Sequence, residues 1–336
     1  MNNFIIVCQQ QNLKSEMSEM KKNLFSQVAS FVVASVLSTA AWAAQPLLSP
    51  SELQAESGKA NVRIIDIRDP KSYATQHIAG AVNAPYGKWR GAANNPGELP
   101  ELTKLTALVQ SLGLTSDTHA IVVSSGVDDT DFGAAARVYW TLKVLGLEQL
   151  SILNGGVKAW QQAGLKLDNT PVIVAASQFT PTINTEYLIT RNELSQDMKD
   201  KKAVLVDARP ARFFNGDTRH QSAKLPGTIE GAVNVEHSVW FKPGTSQVLS
   251  SADAKNVAAR YNLAQTDEEV VSFCNTGHWA ATNWFVLSEL VGDKNVKLYA
   301  GSMVDWAQAP DDLPMKNVPN RLKQIYIDAQ VWFANL

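Results

Sequence analysis

Cysteine is nearly absent. The 336 residues hold two, Cys8 and Cys274, which excludes a disulfide scaffold and any four-thiolate zinc site. Five histidines, His77, His119, His220, His237 and His278, are scattered without metal-ligand spacing, so neither a resident metal nor a cofactor is expected. A basic excess is missing too. Thirty Lys and Arg stand against 32 Asp and Glu, a net charge of −2, and nothing is available to neutralise a nucleic-acid backbone. Apolar residues are plentiful at 45%, enough for a sizeable core, and the length suggests two domains.

Lys21-Lys22 precede an apolar run from Leu24 to Ala41 that is thinned by serines, and Ala41-Trp42-Ala43 places small residues at both cleavage-determining positions. This is the pattern of a secretory signal peptide over residues 1–43. The competing reading is a retained membrane anchor. The expectation is an exported, periplasmic protein with no stable membrane insertion once the signal is removed, its start at Met1, Met17 or Met20. Such a chain keeps one thiol, Cys274, which is either buried filler or reactive equipment.

Laid beside itself at an offset near 145 residues, the chain matches in order at four places. Ile64-Ile65-Asp66-Ile67-Arg68 answers Leu205-Val206-Asp207-Ala208-Arg209, and Gly80-Ala81-Val82-Asn83 answers Gly231-Ala232-Val233-Asn234. Ile121 to Ser125 falls on Val270 to Cys274, and Gly155-Gly156 with Trp160 falls on Gly301-Ser302 with Trp306. The expected domains are 44–170 and 182–312, joined by a polar, proline-punctuated linker and followed by an amphipathic tail over 313–336. Within each half, short apolar runs alternate with helical patterns. The expected fold class is α/β, each domain a parallel sheet flanked by helices on both faces.

In open α/β sheets, ligands bind beyond the carboxyl ends of strands, where Cys274 stands after the run Val270 to Phe273. Cys274-Asn275-Thr276-Gly277-His278-Trp279 then leads into a helical pattern, and the unpaired amides at a helix start stabilise negative charge on sulfur. Gly277 suits a tight curl. A cysteine phosphatase needs an arginine at position 280, which is Ala280. A disulfide oxidoreductase needs a second cysteine where Gly277 stands, and a cysteine protease needs a base in a recognisable context, which neither His237 nor His278 has. Sulfur transfer needs one thiolate and a cradle.

These residues resemble the rhodanese superfamily in its tandem-domain form, the thiosulfate and 3-mercaptopyruvate sulfurtransferases. The similarity is carried by Val206-Asp207-Ala208-Arg209 with Arg212-Phe213, the Cys-x-x-Gly-x-x-Ala loop from Cys274 to Ala280, and Gly301 to Trp306. In the first half it is carried by His77 to Asn83, Ala136-Arg137-Val138-Tyr139-Trp140, and Leu153 to Gly156 with Trp160. The resemblance implies that the second domain holds a persulfide on Cys274 and that the first, with Ser125 expected in the thiol's place beside Asp128, Asp129 and Asp131, covers it. It implies a small anionic sulfur donor, thiosulfate, and cyanide or a thiol as acceptor, a protein acceptor included. Alternatives are 3-mercaptopyruvate as donor, or a non-enzymatic persulfide carrier.

The implied site comprises Cys274, Asn275, Thr276, Gly277, His278, Trp279, Ala280, Arg209 and Arg212. Asn275-Thr276 match neither the basic loop of thiosulfate-preferring members nor the small-residue loop of mercaptopyruvate-preferring ones. The loop's single potential cation is His278, with anion binding and simple solvent exposure as its two readings. Arg209 has a twin in Arg68, which favours a structural pairing with Asp207, whereas Arg212 has Lys71 at the equivalent position. Trp279 and Trp306 are candidate pocket walls, packing being the stronger reading for Trp306.

Overall fold

The computed structural model describes residues 44–264 and 268–334; the expected signal segment lies outside them. The strands of the first half are β1 (Leu47–Leu48), β2 (Val62–Asp66), β3 (Val82–Asn83), β4 (His119–Val123) and β5 (Leu150–Leu153). They form one parallel sheet in the order β1-β5-β4-β2-β3. Its helices are α1 (Pro50–Glu56), α2 (Pro70–Thr75), α3 (Leu102–Ser111), α4 (Asp129–Val144) and α5 (Gly156–Gln162).

The second half repeats this plan. It comprises α6 (Arg191–Asp200), β6 (Ala203–Asp207), α7 (Ala211–Phe214), β7 (Thr228–Ile229), β8 (Val233–Asn234) and α8 (Ser251–Arg260). Then follow β9 (Glu269–Phe273), α9 (Trp279–Phe285), a π-helical continuation over Val286–Val291, β10 (Val296–Leu298), α10 (Ser302–Ala307), β11 (Met315–Lys316) and α11 (Arg321–Phe333). The second sheet runs β10-β9-β6-β8, again parallel, with a parallel bridge from Leu188 to Leu298 in place of β1's pairing on β5. A separate antiparallel pair joins β11 to β7.

Alternation along the strands divides the apolar side chains between two faces. Ile64, Ile121 and Val123 face an outer layer with Leu53 of α1 and Trp160 of α5, while Ile65, Ala120 and Val122 face inward. Likewise Leu205, Val271 and Phe273 pack outward with Leu194, Met303 and Trp306, while Val206 and Val270 face inward. Trp306 is therefore core, like its twin Trp160.

The two inward faces share a single core. Its centre is α4 against α9, where the Phe132 ring meets Phe241 and Phe285 edge-on at 5.6 Å each and the Tyr139 ring meets Phe285 at 5.0 Å. Tyr139 Oη donates to Glu289 at 2.9 Å, and Lys143 pairs with the same carboxylate at 3.1 Å. A seam this apolar behaves as a core cut in half, so the domains are held as one body rather than as loosely touching modules. The segment between them is pinned to the first domain by Ser177 N to Gln110 O and Gln110 Nε2 to Phe179 O.

The duplication reaches individual hydrogen bonds. Asn83 Nδ2 donates to the carbonyls of Asp66 and Arg68, and Asn234 Nδ2 to those of Asp207 and Arg209. It also corrects the expected alignment by one residue. Asp66 pairs with Val123 and Asp207 with Phe273, so Ser124 takes the place of Cys274, and the carbonyl of each accepts from the matching Val157 or Met303 amide. Sequence similarity along two apolar runs cannot fix a register that hydrogen bonding fixes.

Candidate active site

Cys274 follows β9 directly, at the carboxyl end of a strand flanked on both sides, and is 1% exposed. It belongs to the apolar core that the two domains share. Asn275 and Thr276 are buried beside it, and the loop lies on the seam between the domains. Ser302, held at φ 55° after Gly301, aims Oγ back at the loop. That oxygen accepts the amides of Cys274 and Gly277, both at 3.0 Å, and donates to Tyr299 O at 2.9 Å. Two of the expected cradle amides are thus already taken. Those of Asn275, Thr276 and His278, with the first two of α9, donate to no acceptor among the described residues, and α9 lacks a side-chain cap. Unpaired amides at a helix start are what an anionic sulfur requires.

Gly277 sits at φ 66°, and a Cβ there would fall 2.5 Å from Ala300 O and 2.6 Å from Arg137 Nη1. Backbone conformation and space both demand glycine.

The loop carries no cation of its own, yet cations reach it from the other domain. Arg90 Nη2 donates to Thr276 O at 2.7 Å, and fully buried Arg137 reaches Gly277 O from Nη1 at 3.4 Å while Nη2 donates to Gly97 O at 2.7 Å. Burial is the main cause that brings Arg137 down to about 9, with Arg90 adding repulsion and Tyr86 and Cys274 opposing the shift. Arg90 Nη1 and Arg137 Nε are buried atoms without partners. Unpaired guanidinium donors beside a thiol suit an anion with several oxygens. Sequence reasoning missed Arg90, Arg137, Tyr86 and Ser302 as members of this site. Arg137 was visible as part of a motif, but its reach to residue 277 has no local signal.

His278 is not the expected cation, nor is it simply exposed. It is half-buried, with Nδ1 2.8 Å from Tyr86 Oη and Nε2 2.8 Å from Thr130 O. Burial, then Arg90, hold it well below its ordinary value, down to about 3, so it is a neutral strut between domains. Gly133 of α4 leaves it room, since a Cβ there would lie 3.0 Å from the ring nitrogen. Trp279 stacks on His237 at 5.0 Å and 10°, meets Phe213 edge-on at 5.9 Å, and donates from Nε1 to Thr130 Oγ1 at 3.3 Å. Ala280 is fully buried at the head of α9.

Arg209 is committed to its neighbours. Nε and Nη2 clasp Asp207 at 2.6 to 3.1 Å, Nη2 reaches Gly227 O at 2.8 Å, and Nη1 touches Asn275 Oδ1 at 3.4 Å. Arg68 clasps Asp66 in the same way. The shared job is structural, and in the second domain it also anchors the loop through Asn275. Arg212 is exposed, its guanidinium 5.2 Å from the Phe213 ring, which stands between it and Trp279; the structure does not bring it to the loop. In the thiol-less half, Asp131 accepts from Ser125 Oγ at 2.9 Å and from the Gly126 amide, so this acid closes the equivalent loop on itself.

A crevice of about 370 Å³ opens between the domains, lined in part by Asp129, Lys158, Ser238, Phe241 and Lys242. Asp129 Oδ2 lies 3.9 Å from buried His237 Nε2.

The Rhodanese-like domain family matches residues 49–163 and again 190–309. The chain is 30% identical over 267 residues to the thiosulfate sulfurtransferase of Pseudomonas aeruginosa, covering 79% of this chain and 95% of that protein. It is 29% identical over 250 residues to the 3-mercaptopyruvate sulfurtransferase of Escherichia coli, covering 74% and 86%. The crystal structure of a 3-mercaptopyruvate sulfotransferase from Escherichia coli is similar with a TM-score of 0.65 and 25% identity, over 76% of this chain and 98% of that one. Two similar domains, a lone thiol at the end of the second domain's β9 and a first domain laid over it all agree with these matches, and the chain belongs to the rhodanese superfamily of tandem-domain sulfurtransferases.

Proposed function

We propose that Cys274 carries a sulfane sulfur between thiosulfate and a thiol or cyanide acceptor. The observation that carries this reading is that the loop directly after one buried thiol has amides without acceptors and is held through its carbonyls by two first-domain arginines. The Cys274 thiolate attacks the outer sulfur of thiosulfate, the sulfur–sulfur bond breaks, and its electron pair leaves with sulfite. The outer sulfur stays on Cys274 as a persulfide. An acceptor thiolate or cyanide then attacks that sulfur, and the electron pair of the second bond returns to Cys274 as thiolate. Arg90 Nη1 and Arg137 Nε are the donors free to meet the oxygens of the departing sulfite. At 1% exposure the thiol is reached only when side chains at the seam give way, and burial then protects the persulfide from water and oxidants.

A second donor, 3-mercaptopyruvate, is favoured by the uncharged pair Asn275-Thr276, which leaves recognition to arginines suited to a carboxylate. Initial rates with the two donors at matched concentrations separate the readings: faster transfer from thiosulfate supports the first, and faster transfer from mercaptopyruvate replaces it. A stable persulfide that turns over with neither donor would instead make the protein a carrier. Export belongs to the same proposal and rests on Lys21-Lys22, the apolar run and Ala41-Trp42-Ala43. Mass spectrometry of the chain from a periplasmic fraction tests it, and an intact N-terminus in the cytoplasm would contradict it.

A further inference from the structure

The tail helix α11 has two apolar faces, and only one is used. Ile327, 1% exposed, docks inward. The pairs Lys323–Asp217 at 2.6 Å and Arg219–Asp328 at 2.9 Å, with Asn317 Nδ2 donating to Phe214 O at 2.8 Å, fix the helix in that orientation. On the opposite side, Leu322, Ile325, Tyr326, Trp332 and Phe333 stand outward, 81%, 53%, 63%, 60% and 68% exposed. With Ala329 they follow steps of three and four, a continuous stripe along one side of the helix. Of the eleven large apolar residues exposed among the described residues, these five sit within thirteen positions, so the patch is built rather than incidental.

We propose that this stripe rests on the surface of a phospholipid bilayer. Its chemistry fits a lipid interface. Three of its members are aromatic, with Trp332 and Phe333 edge-to-face at 4.9 Å, and such rings partition to the headgroup level. Charge on the helix is nearly spent. Lys323 and Asp328 are paired to the body and Arg321 meets only the neutral Gln324, so an acidic or basic protein groove finds little to recognise. The helix is shorter than the roughly 20 residues needed to span, and no helix among the described residues is long and apolar enough to cross a membrane. α11 therefore lies on the bilayer rather than through it.

The test is flotation of the full chain with vesicles of phosphatidylcholine alone and of phosphatidylcholine with phosphatidylglycerol, wild type beside the double variant Ile325→Ser, Trp332→Ser. Both side chains are exposed, so folding and sulfur transfer in solution are expected to be unchanged. The wild type should float with both vesicle types and the variant should lose roughly tenfold or more of the bound fraction, because binding scales with buried apolar area. Phosphatidylglycerol should add little. Equal flotation of the two proteins, whether high or absent, overturns the proposal. So does a wild-type dimer in solution that the variant abolishes while neither protein floats, since the occupant is then a second copy.

Discussion

Arg90 Nη2 lies 2.7 Å from the carbonyl oxygen of Thr276, a contact across 186 residues that ties the first domain to the loop after the second domain's only thiol. A charge-assisted bond of this kind contributes about 1.5 to 3 kcal/mol. Arg90→Met should therefore cost stability of that order and lower kcat/KM about ten- to a hundredfold, and Arg90→Lys should recover only part of each. Activity equal to wild type in Arg90→Met would remove this residue from the site.

Gly277→Ala tests the curl of the loop. The added methyl meets Ala300 O and Arg137 Nη1 at a residue whose φ is 66°, so strain and collision act together. A stability loss of about 1 to 3 kcal/mol is expected from urea unfolding, with sulfur transfer falling further than stability because the amides lose their arrangement.

Ser302→Ala asks whether the loop is held from outside. Removing Oγ leaves the Cys274 and Gly277 amides buried and unpaired, at about 1 to 3 kcal/mol each. A clear drop in thermal stability together with reduced transfer is expected; stability unaltered within error would mean that the loop holds its shape without this hydroxyl.

Much of this was legible in the sequence. The duplication, the pairing of Asp66 with Arg68 and Asp207 with Arg209, and the thiol-to-helix loop are local patterns, and local patterns survive in a one-dimensional string. The contributions of Arg90 and Arg137 are contacts across 186 and 140 residues that follow no periodicity, so they emerge only once α4 packs on α9. Ser302 was overlooked because a serine in a left-handed backbone conformation looks like an ordinary turn residue until its hydroxyl is seen to gather two amides. The one-residue slip between Ser124 and Ser125 has the same origin, since two buried strands are equally apolar in either alignment. The π-helical stretch over Val286–Val291 likewise carries no sequence signature distinct from an α-helix.

Acid should weaken the fold through His278. Its folded value near 3 lies below the ordinary 6.5, so as pH falls through 6.5 the unfolded chain takes up a proton that the folded chain refuses. Stability is then lost progressively between about pH 6.5 and pH 3. His119, His220 and His237 are shifted in the same direction, burial being the first cause for each. The individual contribution is therefore read by difference. Urea unfolding of His278→Gln at pH 7 and pH 5 should show a smaller acid loss than wild type; an identical loss would place the sensitivity elsewhere.

The central claim concerns the chemistry of one sulfur atom and is tested most directly by mass spectrometry of the Cys274 peptide. After mixing with thiosulfate, the wild-type peptide is expected to gain one sulfur atom and to surrender it when cyanide or a thiol acceptor is added, and Cys274→Ser should gain none and turn over nothing. Sustained sulfur transfer by Cys274→Ser, or a wild-type thiol that stays unmodified while product forms, would contradict the account.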